Sequence, residues 1–255
     1  MKRIARKLRI VATQKRTTAS LVDEIKTSFN DLNLLLEDEL ERWNDWAQFK
    51  GGKYHDMRSD SIHPLLLSGL MSMSRAGKVL EFGTYLGETS AFLADTHKEW
   101  NIHTIDLPST DPLLRGMYGR DKDAQYETFR STQLSNVRKN NIDFKEFNTL
   151  FFGSTDLANQ TFDIVWLDAG HNYPEVAWDF SHALSVLKKG GFLVVDDVIP
   201  ITSKYKNEYV STDSWELIQY LEKRQSVKIT KVLKRADNER FRDPQKRKYV
   251  VIIEL

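Results

Sequence analysis

The stretch Val79–Leu107, VLEFGTYLGETSAFLADTHKEWNIHTIDL, decides the fold. A short apolar run stops at Glu81 and Phe82, glycines follow at 83 and 87, a helical pattern starts at Glu88, and a second run, IHTID, closes on Asp106. Strand, glycine turn, helix and strand in that order make the βαβ unit of a parallel sheet. In such sheets ligands collect at the carboxyl ends of the strands, where the chain order reverses. Gly83 and Gly87 allow a tight turn and close approach of the backbone to a ligand. Thr89 and Ser90 begin the helix whose N-terminal amides face the same point. Asp106, nineteen residues after Gly87, offers a carboxylate to both hydroxyls of a ribose.

The spacing says which nucleoside fits. A dinucleotide site wants G-x-G-x-x-G, whereas this turn is G-x-x-x-G with Tyr85 in its middle and Glu81 two residues ahead of it. A carboxylate there repels a pyrophosphate and attracts an ammonium group. A nicotinamide oxidoreductase is therefore disfavoured.

Outward from this unit, the 255 residues, with 37 basic and 36 acidic side chains, suffice for one substantial α/β core with additions. The absence of cysteine excludes disulfides, thiolate metal sites and cysteine nucleophiles. No apolar run approaches the roughly 20 residues that span a bilayer. The start, MKRIARKLRIVATQKR, lacks the apolar segment and cleavage site of a signal peptide. The expectation is a cytoplasmic protein. Residues 1–19 form a basic leader that suits contact with an anionic membrane surface or nucleic acid, or, more plainly, a solvated terminus.

Residues 20–77 read as an N-terminal helical extension and lid. Ser20 and Asp23 resemble a helix cap, and Val22, Ile25, Phe29, Leu32, Leu36, Leu40 and Trp43 recur at helical spacing. The pattern predicts one long helix from Ser20 to Phe49, ended by Gly51 and Gly52, that packs on its own domain or pairs with a second copy as a homodimer. A loop flanked by His55 and His63 precedes a second helix over Leu65–Ala76. From Lys78 onward apolar runs alternate with helical patterns, predicting a mostly parallel α/β sheet over 78–255. The last two runs, SVKITKVLKR and KYVVIIEL, suggest an antiparallel pair at one edge. Pro108–Lys122 has no period and reads as an insertion beside the ligand mouth.

The fourth and fifth runs end in LDAGHNYPEV and VVDDV, which would set Asp168 and Asp196 on adjacent strand ends, with Asp197 next. Three carboxylates at one mouth are costly unless something positive binds there, and such oxygen ligands suit Mg²⁺, Mn²⁺ or Ca²⁺. The plainer alternative is that some of them cap helices or hold loops.

On the Glu81, Gly83, Gly87 and Asp106 pattern, residues 78–255 resemble the class I S-adenosylmethionine-dependent methyltransferases. The resemblance implies a Rossmann-like, seven-stranded fold with a C-terminal antiparallel hairpin and S-adenosyl-L-methionine as cofactor. It implies that Glu81 and the Gly83 turn hold the methionine end, with Thr84, Tyr85, Gly87, Thr89, Ser90 and Asp168 lining the site. Asp106 would bind the ribose and Asn148 would lie near the adenine. DAGHNYPEV and VVDDV resemble the macrocin O-methyltransferase type, which modifies sugars, and also the metal-dependent catechol and caffeoyl-coenzyme A O-methyltransferases. By that resemblance Asp168, Asp196 and Asp197 would hold Mg²⁺ or Mn²⁺. His171, standing where the catechol type has lysine, would take the proton from a hydroxyl of a small-molecule or glycan acceptor.

Two rival readings remain at this point. The basic residues of 223–248 could follow an RNA backbone, although LDAGHNY lacks the Asn/Asp-Pro-Pro pattern of base amino-methylating enzymes and a basic edge hairpin also guards against strand pairing. Nucleic acid is thus the less favoured partner. A non-catalytic partner-binding module would show a decayed cofactor site, which the intact pattern argues against.

Overall fold

The computed structural model describes residues 18–116, 122–200, 212–224, 227–237 and 247–255. Seven strands form one sheet: β1 (Gly77–Phe82), β2 (Trp100–Asp106), β3 (Ile142–Glu146), β4 (Phe162–Leu167), β5 (Leu187–Val198), β6 (Lys228–Leu233) and β7 (Tyr249–Glu254). Their order is β3-β2-β1-β4-β5-β7-β6, with parallel pairing through β5 and antiparallel pairing of β7 with both β5 and β6. The expected α/β class, the parallel sheet and the antiparallel edge pair are all present. The order reverses between β1 and β4, so the mouth opens above Phe82 and Leu167.

Alternation along the strands divides the core. Val79, Ile102, Ile164, Trp166, Val194 and Ile252 face one side, while Leu80, Phe82, Ile105, Val165, Leu193 and Ile253 face the other. Both faces are apolar because helices cover both. The first side carries α1 (Thr18–Asp31), α2 (Leu36–Lys50), α3 (His63–Ser72) and α4 (Glu88–Thr96). Following these come α5 (Pro112–Gly116), α6 (Asp123–Val137), α7 (Glu175–Val186) and α8 (Asp213–Arg224), the last two lying over the second side.

The long N-terminal helix expected from the periodicity is two helices. The chain turns at Leu32–Leu34, where Asn33 adopts φ 58° and the Leu34 amide folds back onto the Phe29 carbonyl at 2.9 Å. Leu32, Leu34 and Leu36 are all buried, so the apolar rhythm continues through a bend that it does not reveal. Ser20 lies inside α1. The apolar residues of α1 and α2, among them Leu21, Ile25, Phe29 and Trp43, pack into the chain's own core, and α1 lies along β6. Residues 20–77 therefore share one core with the sheet. The second predicted helix, Leu65–Ala76, runs over His63–Ser72, with Pro64 in its first turn. The insertion contains the short helix α5; residues 117–121 of it, and residues 1–17 of the basic leader, lie outside the described residues. No helix among the described residues is long and apolar enough to cross a membrane.

Candidate active site

The glycine turn forms as the spacing predicts, but its glycines are demanded by the protein itself. Gly83 has φ 98°, and a Cβ there would stand 2.5 Å from the carbonyl oxygen of Asp168. Gly87 has φ 70°, opens α4, and would press a Cβ to 2.8 Å from Val137. Tyr85 between them also has positive φ, at 51°, and leaves its ring half exposed at the mouth.

Beneath this turn Glu81 is buried. Glu81 and Thr104 are paired in the β1/β2 ladder, so the Thr104 hydroxyl reaches Glu81 Oε2 at 2.5 Å, and the Ser90 hydroxyl from the first turn of α4 donates to the same oxygen. Burial outweighs these two hydrogen bonds and pushes the carboxyl up to about 8. Thr84 is also buried and bonds Thr104 at 2.6 Å. Thr89 meets His63 Nε2 at 3.1 Å.

Asp106 ends β2 as a brace. Its Oδ2 accepts the Tyr85 amide and the side-chain amide of Gln133, each at 2.9 Å, and its Oδ1 accepts the Leu107 amide at 2.8 Å. The ribose-binding candidate therefore holds the glycine turn in place and is itself held by α6. Asn148 follows β3 and spends its side-chain carbonyl on the Leu150 amide, opening a 3₁₀ turn beside the exposed Leu150 and Phe151.

The acids of the fourth and fifth strands converge. Leu167 and Val195 are partners, so Asp168 and Asp196 leave adjacent strand ends side by side. Side chains normally alternate along a strand, yet Asp196 and Asp197 both reach one group. Asp197 has φ 54° and sits where the β5/β7 register slips between Val195 and Val198, and this bulge turns the second carboxylate to the same side.

That shared group is Lys234. Its Nζ lies 2.5 Å from Asp196 Oδ2 and also donates to Asp197 Oδ1, while Lys248 Nζ lies 2.5 Å from Asp197 Oδ2. Lys234 is 6% exposed and Asp196 fully buried. Despite burial, the facing carboxylates hold the Lys234 ammonium above its ordinary range. Burial raises Asp168 well above its ordinary carboxylate value and the Asp196 charge adds to this. Lys234 draws Asp196 strongly downward against its own burial. The two lysines were placed by the sequence on the outer face of an edge hairpin; the structure turns them inward. Among the described residues of 223–248, Arg247 is buried as well and Lys228 pairs with Glu254 at 2.7 Å, while Arg240, Arg242 and Lys246 lie outside the described residues.

Two histidines flank the acids. His171 Nε2 stands 3.8 Å from Asp168 and 4.0 Å from Asp197, beyond hydrogen-bond length, and burial lowers its proton affinity so that the ring is neutral near neutral pH. His63, expected only as a lid residue, lies in the cluster, 3.7 Å from Asp196 and with its ring 4.7 Å from that of Trp166. Donor atoms of His63, Asp168 and Asp196 lie within 4.8 Å of one another. Both His63 nitrogens are nevertheless engaged, Nδ1 with Ser61 at 2.6 Å and Nε2 with Thr89. With an ammonium already on Asp196 and Asp197, the set does not fit a dication as folded: the ion would have to expel Lys234 or bring a buried, balanced cluster to a net positive charge.

Residues 80–198 match a family model described as a methyltransferase domain. That match spans β1 to β5, from the glycine turn to the paired aspartates. Over this segment the chain is similar to a methyltransferase domain. No curated protein sequence matches the chain. Among solved structures, the O-methyltransferase TomG of Streptomyces achromogenes, involved in tomaymycin synthesis and solved with S-adenosylmethionine, superposes with a TM-score of 0.55 at 17% identity, over 91% of this chain and 95% of that one. An O-methyltransferase of Bacillus cereus, solved with S-adenosylhomocysteine, gives 0.54 at 14% identity, over 91% and 96%. Identities this low establish the shared fold. The candidate site thus joins residues legible in sequence to Lys234, Lys248, His63 and Gln133, which come from outside the motifs.

Proposed function

We propose that this methyltransferase moves a methyl group from S-adenosyl-L-methionine to the hydroxyl oxygen of a sugar, in a glycan or on a glycosylated small molecule. The observation that carries the reading is the neutral imidazole of His171, standing free of short hydrogen bonds between Asp168 and Asp197 beside the glycine turn. Transfer from a sulfonium is an in-line displacement on an activated carbon. The acceptor oxygen bonds the methyl carbon as the carbon–sulfur bond breaks, S-adenosylhomocysteine leaves, and the hydroxyl proton passes to His171. Asp197 stabilises the imidazolium that forms. Glu81, protonated beneath the turn in the ligand-free fold, would give up its proton and pair as a carboxylate with an arriving methionine ammonium, and Asp106 presents its carboxylate to the ribose.

The sugar acceptor is supported by the D-x-x-H-x-Y-x-x-V pattern around His171 and by Tyr85 and Tyr173, both exposed where a sugar ring could stack. The Mg²⁺ or Mn²⁺ assistance expected from the family resemblance draws no support from the paired carboxylates, and no step above uses it.

Isothermal titration with S-adenosylmethionine and S-adenosylhomocysteine tests the cofactor, and transfer of labelled methyl to a panel of glycosides tests the acceptor. Micromolar binding followed by alkali-stable methyl ether formation is expected. A folded sample that binds neither compound would overturn the reading.

A further inference from the structure

The acidic cluster raises a question that its motif does not answer: what balances its charge. We propose that Lys234, braced by Lys248, is the built-in counter-ion of this site, so that an ammonium group of the chain itself stands where the family resemblance expects a divalent metal. The inference rests on the methyltransferase reading only for its meaning, since the contacts exist whatever the acceptor.

Three observations carry it. Lys234 touches both Asp196 and Asp197, and Lys248 touches Asp197 again, so both of the paired aspartates already have a cation at contact distance. The lysines are placed by the fold rather than by flexible reach. Lys234 follows the last residue of β6, its backbone amide bonds the Lys248 carbonyl at 3.0 Å across the hairpin, and the backbone amide of Ile62 bonds the Lys234 carbonyl at 3.0 Å, locking the strand end against the start of α3. Finally, the bulge at Asp197, with its unfavourable φ, aims a second carboxylate at the same ammonium. A surface lysine needs no such arrangement.

The consequence is for the acceptor. A metal-bridged site favours acceptors that offer two adjacent oxygens to one ion. A site balanced by an ammonium group needs only one hydroxyl, presented to the methyl carbon and to His171. Acceptors without a vicinal diol should therefore be competent, and chelators should leave turnover unchanged.

Mn²⁺ is the probe for the test, titrated into the full chain and followed by the free-ion electron paramagnetic resonance signal and by the melting temperature. The wild-type protein should bind no Mn²⁺ below millimolar concentration and melt at the same temperature with or without it. Lys234→Gln should gain Mn²⁺ affinity by about tenfold or more through the freed carboxylates, and Lys234→Arg should refuse the ion as the wild type does. One Mn²⁺ bound per chain at micromolar concentration in the wild type, lost in Asp196→Asn, would overturn the proposal. Should Lys234→Gln fail to fold, the wild-type titration still decides. Binding of S-adenosylhomocysteine, measured in parallel without metal, separates failure of the methyltransferase reading from failure of the counter-ion.

Discussion

Glu81 is the residue whose chemistry is most out of balance. Held at about 8 by burial, against an ordinary 4.5, its carboxyl keeps its proton in the folded protein across a range in which the unfolded chain loses it. A raised carboxyl favours the fold at low pH, and that stability drains away as pH rises from about 4.5 to about 8. Glu81→Gln should accordingly raise the melting temperature of the ligand-free protein more at pH 8 than at pH 5, and it should weaken cofactor binding by removing the carboxyl that ionises against an arriving ammonium. Equal stabilisation at both pH values would show that the carboxyl is ionised throughout. Asp106 and Asp197 divide by role. Asp106→Ala loses a ribose acceptor and the brace on Tyr85, and a tenfold or greater fall in S-adenosylmethionine affinity is expected, since a hydrogen bond to a charged group is worth about 1.5–3 kcal/mol. Asp197→Ala should leave that affinity within about twofold and abolish transfer. Calorimetry on both variants checks the split.

At the scale of elements, two turns set the architecture. The Gly83 turn joins β1 to the end of β4, because Asp168 donates its amide to Phe82 at 2.9 Å and its carbonyl fills the space where a Cβ would stand. Gly83→Ala is expected to cost about 2 kcal/mol or more from positive φ and backbone overlap together, read as a lower urea midpoint. The Leu32–Leu34 turn folds α1 back beside α2. Phe29, fully buried at that turn, should cost about 3–5 kcal/mol when replaced by alanine, visible in the same assay. The sequence did hold a signal for this bend, in the N-D-L-N of residues 30–33, whose residue types favour turns. Leu32, Leu36 and Leu40, at helical spacing, masked it. Leu34 is needed inside, against Gly69 of α3, so burial and turn coincide.

Across the whole molecule, the N-terminal helices are part of the domain's own core, and a polar joint pins them there. His97 Nε2, at the end of α4, meets the Ser68 hydroxyl of α3 at 2.9 Å and Arg42 of α2 at 3.1 Å. Burial, with the Arg42 charge second, lowers this histidine to about 4 from 6.5. The folded protein therefore refuses a proton that the unfolded chain accepts, and stability falls as pH drops from about 6.5 toward 4. His97→Gln should flatten that part of the melting-temperature profile; an unchanged slope would place the acid sensitivity elsewhere.

The sequence by itself determined the parallel sheet, its antiparallel edge, the glycine turn and the acids at the strand ends. These are local properties, written in hydrophobic period, glycine spacing and residues directly after apolar runs. Only the tertiary structure decided what balances the acids. Lys234 and Lys248 lie in a charged stretch whose local pattern reads as solvated surface, and nothing in that pattern records that β7 inserts between β5 and β6 and brings both strand ends over Asp196 and Asp197. Charge pairing acts through space between segments far apart in the chain, so its partners become legible only once the strand order is known.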